Sequence, residues 1–85
     1  PALYHTKLIA SNVHWISGTD PTKVQLKAKI RYRGKEKTCN IKKLDNDTIL
    51  VSFKEPRFAI SPGQSVVFYQ NNICLGGALI EYPQN

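Results

Sequence analysis

Eighty-five residues, 41% of them hydrophobic, suffice for one domain with one modest core. No apolar run approaches the about 18 residues of a membrane-spanning helix, and the opening PALYHTK lacks the basic-then-apolar order of a signal peptide. Twelve Lys and Arg against six Asp and Glu give a formal charge of +6, which in so small a domain favours a polyanionic partner.

Taken in order, Lys7 to Val13 reads as a first strand, followed by Trp15 and a turn at Ser17-Gly18. A lone Trp beside a strand end is more often a core anchor than a base-stacking platform. Neither His5 nor His14 has a Cys, His or carboxylate at a metal-ligand spacing, so both read as surface or barrel-end residues. Thr19-Asp20-Pro21-Thr22 is a loop.

The clearest pattern follows. Val24, Leu26, Ala28, Ile30 and Tyr32 alternate with Lys23, Gln25, Lys27, Lys29, Arg31 and Arg33. Period-two alternation of this kind predicts a strand with one apolar and one cationic face. Gly34-Lys35 suits a two-residue type II′ turn. That turn would set Arg33 opposite Glu36, Arg31 opposite Thr38, Lys29 opposite Asn40 and Lys27 opposite Lys42. On the apolar face Ile30 would meet Cys39 and Ala28 would meet Ile41.

A second turn at Leu44-Asp45-Asn46-Asp47 leads into Thr48 to Phe53, with Ile49, Val51 and Phe53 directed inward and Leu50 an exception. Pro56 cannot donate to a ladder, so Lys54 to Arg57 is expected to end that strand. Phe58-Ala59-Ile60 then serves as a connector or short strand. In Ser61-Pro62-Gly63, Pro presets the first central φ of a turn and Gly accepts a positive second one. Val66-Val67-Phe68-Tyr69 reads as a strand buried on both faces. Asn71-Asn72 reverses the chain as a two-residue hairpin loop. Gly76-Gly77, in the middle of the return strand from Ile73 to Tyr82, marks a bend or a close backbone approach. Pro83-Gln84-Asn85 is a frayed tail.

About six strands with turn signals every 8–12 residues and no helical periodicity argue for an all-β fold, a small closed antiparallel barrel. Two cysteines are too few for a disulfide framework, and Cys39 and Cys74 read as reduced core thiols. No catalytic triad, carboxylate pair or CxxC zinc motif is present, so no catalytic, cofactor-binding or metal-ligating residue is assigned.

Ile60 to Tyr69 (ISPGQSVVFY), followed by Cys74-Leu75-Gly76-Gly77, resembles the C-terminal β-barrel of bacterial tRNA-specific 2-thiouridylases. Leu8 to Val13 with Trp15-Ile16, and Ala28 to Arg33, resemble the opening and the second strand of the same domain. Related barrels in translation factors and aminomethyltransferases share the SPGQ turn, but the LIASNVHWI and CLGG segments argue against them. The resemblance implies a barrel like the second domain of elongation factor Tu. It implies a cytoplasmic parent enzyme that uses ATP and a cysteine persulfide to place sulfur on the wobble uridine of tRNA. Its partners would be tRNA and a sulfur-carrier protein. The ATP-binding loop and catalytic cysteines of that family lie in an N-terminal domain that this chain does not contain. Residues 1–85 are thus expected to be a C-terminal fragment, next to missing catalytic and central domains. A start at Pro1 and the absence of methionine point the same way. No catalysis is carried over to Cys74.

Nine of the twelve basic residues fall between Lys23 and Lys43, against the single acid Glu36. Alternate residues on a strand face stand about 6.6 Å apart, a spacing that can follow a phosphate backbone. The candidate contacts are Lys27, Lys29, Arg31, Arg33, Lys35, Lys37 and Lys42. Two readings stay open. One is an accessory domain that holds tRNA; the other is a structural barrel packed on its neighbouring domains, with an exposed apolar patch involving Tyr4, Leu50, Phe58 or Tyr82.

Overall fold

Alternation along the strands calls for a sheet with one apolar side, and in the computed structural model that sheet is closed on itself. It describes residues 4–18, 25–30, 35–58 and 62–84. Within them lie six strands: β1 (Tyr4–Trp15), β2 (Leu26–Lys29), β3 (Lys37–Lys43), β4 (Ile49–Phe58), β5 (Ser65–Gln70) and β6 (Ile73–Gln84). They close an antiparallel barrel in the order β1-β4-β3-β2-β5-β6. Closure removes sheet edges, so every strand has two neighbours.

The inward positions are those the alternation selects. Leu8, Ala10, Leu26, Ala28, Ile30, Cys39, Ile41, Ile49, Val51, Phe53, Val66, Phe68, Ala78 and Ile80 form one buried cluster. The three alanines leave room for Phe53 and Phe68 in a narrow interior. Burying each large side chain contributes about 1.5–3 kcal/mol. Trp15 is half-buried against this cluster, its ring 5.3 Å from that of Phe68 and tilted by 42°. It acts as an anchor.

Three turns behave as their residues require. Asn71 and Asn72 take φ of 51° and 67°, both positive as a type I′ loop demands, and join the flanking Gln70↔Ile73 pair. Gly63 has φ 87°, and its N–H donates to the Ile80 carbonyl at 2.9 Å, tying the Pro62-Gly63 turn to β6. In the β3–β4 connection the Leu44 N–H donates to the Thr48 carbonyl at 2.9 Å, and the Asp47 N–H donates to Asp45 Oδ1 at 2.9 Å. Hydrogen bonds from the Asp47 backbone and the Thr48 side chain hold the Asp45 carboxyl below its ordinary pKa.

The Gly76-Gly77 pair brings β6 against both of its neighbours. A Cβ on Gly76 would lie 2.1 Å from the His14 carbonyl oxygen of β1 and 2.9 Å from the Trp15 ring, and one on Gly77 would lie 3.0 Å from the Val66 carbonyl oxygen of β5. Gly76 also has φ 154°, a region that side chains disfavour. Beside it β6 bulges: Phe68 pairs with Gly76 and Tyr69 with Cys74, leaving Leu75 as the extra residue. On the other side, Ser11 pairs with Leu79 and His14 with Gly77, so Asn12 (φ 51°) and Val13 oppose Ala78 alone. Asp47 Oδ1 accepts from the Val13 N–H of this bulge at 3.3 Å.

Five expectations need correction. Pro83 and Gln84 are not a frayed tail: they belong to β6, where Pro83 pairs with Leu8 and Gln84 with Lys7 of β1. The β2–β3 register is Leu26↔Cys39, Lys27↔Thr38 and Ala28↔Lys37, so Ala28 does not meet Ile41, Lys29 does not meet Asn40 and Lys42 does not oppose Lys27. The shift is four residues along β3, which preserves the face of every side chain; alternation alone therefore cannot detect it. The expected Gly34-Lys35 turn, with Arg31 and Arg33, falls partly on residues 31–34, which lie outside those described.

Pro56 does not end β4. The β1–β4 pairing passes from Lys7↔Ser52 to His5↔Arg57, so residues 53–56 fall in an irregularity of that ladder, which spares the proline a bond to β1. β5 is not buried on both faces: Val66 and Phe68 are fully enclosed, whereas Val67 and Tyr69 are half-exposed because nothing described covers the outside of the barrel there. Finally, both cysteines are free thiols, but only Cys39 is in the core, and Cys74 is exposed.

Two outcomes follow from this geometry. In urea titrations followed by Trp15 fluorescence, Gly76→Ala should lose about 2–4 kcal/mol through overlap and backbone strain. Gly63→Ala, where a Cβ meets open space but φ is positive, should lose about 1 kcal/mol. Equal losses would contradict the close approach of β6 to β1. For the thiols, burial pushes Cys39 up to about 12, so at pH 8 iodoacetamide should modify Cys74 alone until the chain is unfolded. Because the folded value lies above that of an unfolded thiol, about 8.5, the Cys39 contribution is complete below that pH. It is lost as pH rises from there towards the folded value.

Candidate nucleic-acid interface

The cationic residues are positioned by the same parity that builds the core. With Leu26 and Ala28 directed inward, Lys27 and Lys29 stand on the outer wall of β2, Lys27 exposed and Lys29 half-buried. Lys27 lies between Thr38 of β3 and Tyr69 of β5, and Lys29 lies beside Val67. The Lys29 ammonium sits 5.5 Å from the centroid of the Tyr69 ring, a cation–π contact worth about 0.5–1 kcal/mol at a partly solvated site. It holds a long side chain over the wall instead of leaving it free.

On β3 the inward residues are Cys39 and Ile41, so Thr38, Asn40 and Lys42 face outward. Lys42 is exposed and pairs with Leu50 of β4. It is four residues, about 13 Å, along β3 from the Thr38 that faces Lys27. The two lysines thus extend one outer surface and do not repel each other across a hairpin. Lys37 shares the parity of Cys39 and is half-buried at the start of β3, while Lys35 is exposed just before it. Of the seven candidates, Lys27, Lys29 and Lys42 share the outer wall, Lys35 and Lys37 lie at the β3 entry, and Arg31 and Arg33 fall outside the described residues.

A groove of about 390 Å³ opens beside Lys27, lined among others by Gln25, Glu36, Thr38, Tyr69, Gln70, Asn71 and Asn72. Sequence reasoning missed this feature. It took Tyr69 for a buried strand residue and the two asparagines for a turn only. The parity of β5 was the available signal, since Tyr69 falls opposite to Val66 and Phe68. Among the described residues, no group of three or more His, Cys, Asp or Glu is placed to hold a metal ion. The arrangement is suited to binding anions and polar rings.

Comparison with known proteins places this geometry in a family. The model of the aminomethyltransferase β-barrel domain matches residues 5–80. The tRNA-specific 2-thiouridylase MnmA of Ruthia magnifica subsp. Calyptogena magnifica is 51% identical over 80 residues, covering 94% of this chain and 22% of that protein. The tRNA-specific 2-thiouridylase MnmA of Methylococcus capsulatus is 42% identical over 88 residues, covering 100% of this chain and 24% of that protein. Its counterpart in Coxiella burnetii (strain CbuK_Q154) is 49% identical over 81 residues, covering 94% and 22%. The chain spans less than a quarter of the length of these curated relatives. With a family model matched over nearly all of its strands, the chain belongs to the aminomethyltransferase β-barrel domain family, and it is similar to a part of the tRNA-specific 2-thiouridylases less than a quarter of their length.

Proposed function

We propose that this barrel is the accessory C-terminal domain of a tRNA 2-thiouridylase and helps to hold tRNA through the outer wall of β2 and β3. The observation that carries this reading is the placement of Lys27, Lys29 and Lys42 on one outer surface by strand parity, within a chain of net charge +6. Lysines on a rigid barrel wall give affinity and orientation through phosphates, without reading sequence. The similarity to enzymes named for acting on tRNA supplies the polyanion that the charge calls for.

In this reading the sulfur transfer, its ATP requirement and the docking of a sulfur-carrier protein belong to the other domains of the parent chain, in the cytoplasm. The barrel presents the tRNA body to them and performs no chemistry itself. A second reading, a structural barrel packed on neighbouring domains, draws on one observation. Ile16 and Ile73 are 65% and 64% exposed, with Ile16 hydrogen-bonded to Leu75 close along β6. Such residues suit a covered apolar surface. Of the residues expected in such a patch, Tyr82 is 52% exposed and Leu50 only half-exposed.

The test is the affinity of the 85-residue protein for an unmodified tRNA transcript across a salt series. Log affinity should fall linearly with log salt concentration, and Lys27→Glu/Lys29→Glu should weaken binding at least tenfold and reduce the slope by about two. Unchanged binding in the double variant, or no binding at low salt, would leave the structural reading.

A further inference from the structure

The groove beside Lys27 differs in chemistry from the lysine wall. Its lining is mainly neutral and polar: Gln25, Thr38, Gln70, Asn71 and Asn72 join Lys27 around the half-exposed ring of Tyr69, with Glu36 as the one carboxylate of the lining. Each Asn and Gln side chain carries both donors and an acceptor, the complement of a nucleobase edge. The positive φ values of Asn71 and Asn72 fix the backbone from which those amides project. At about 390 Å³ the groove falls in the range of small-ligand sites, about 300–1,000 Å³. A phosphate alone needs neither that volume nor an aromatic ring.

We propose that this groove takes one unstacked nucleotide of an RNA strand, with Tyr69 as the stacking surface and the amides of Gln70, Asn71 and Asn72 bonding to the base edge. The proposal rests on the RNA-binding reading above and gives it a preference. A base within a helix has its edge paired and its face stacked, so only a single-stranded or looped nucleotide can enter. The flanking phosphates then run along Lys27 and Lys29, and the Lys29 ammonium moves from the Tyr69 ring to a phosphate. Stacking tolerates any base; the amides supply whatever selectivity there is.

The experiment compares binding of labelled octauridylate with binding of an RNA hairpin duplex of matched phosphate number, by fluorescence anisotropy at low salt. Tyr69→Leu should weaken octauridylate binding about tenfold and duplex binding by less than twofold. Asn72→Gly, which suits the positive φ and removes only the amide, should weaken octauridylate binding several-fold with no loss of stability. That variant keeps the test valid if Tyr69→Leu does not fold. If both variants bind octauridylate as tightly as the parent while Lys27→Glu/Lys29→Glu weakens both RNAs, the groove proposal is overturned and the phosphate wall stands. If the charge reversals also change nothing, both are overturned.

Discussion

The barrel depends on the backbone approach at Gly76. There β6 comes so near β1 that a single added carbon would overlap the His14 carbonyl, and this contact lets the last strand meet the first. Its consequences spread in both directions. Trp15, paired with Gly76, is brought onto Phe68, so the large ring of the sequence's only tryptophan packs where glycine leaves space. On the other side, the Leu75 bulge takes up the extra length. It sets Tyr69 opposite Cys74 and carries the Asn71-Asn72 turn beyond β5, where it forms one rim of the groove beside β2. The candidate surface is thus a by-product of how the barrel closes.

Features governed by local chemistry were legible in the sequence. The positive φ of Asn71 and Asn72, the Pro62-Gly63 turn and the inward faces of β2, β3 and β4 follow from residue type and parity. Features governed by competition between strands were not. The β2–β3 register is fixed by the pairing of Cys39 with Phe53 and Ile41 with Val51 on β4 as well as by β2 itself. A shift of four residues satisfies both neighbours while leaving each face unchanged. Pro56 was misread for a related reason: a proline excludes a ladder bond at one position, and a bulge can remove that position from the ladder. Cys74 was misplaced because cysteine packs readily in cores, and only the register shows that it follows a turn on the outside.

The candidate site divides in the same way. Its charges were visible as an alternating run, since a cation on one strand face announces itself without any partner. The groove joins residues from β2, β3, β5 and a turn, and no single stretch contains it. Together they describe a division of labour on one wall. In the proposed reading, lysines at strand spacing attract and align a phosphate backbone over a long range, and the polar recess admits a base at one place. This combination is suited to an RNA with both helical and unpaired segments.

The most direct test is to map the bound surface by the amide chemical-shift changes of the 85-residue protein on adding unmodified tRNA. The account predicts changes concentrated at Lys27, Lys29, Thr38, Lys42 and the 69–72 segment, with the Ile16, Leu75 and Leu79 amides unmoved. Changes centred on Ile16, Ile73 and Leu79 instead, with the lysine wall silent, would contradict it.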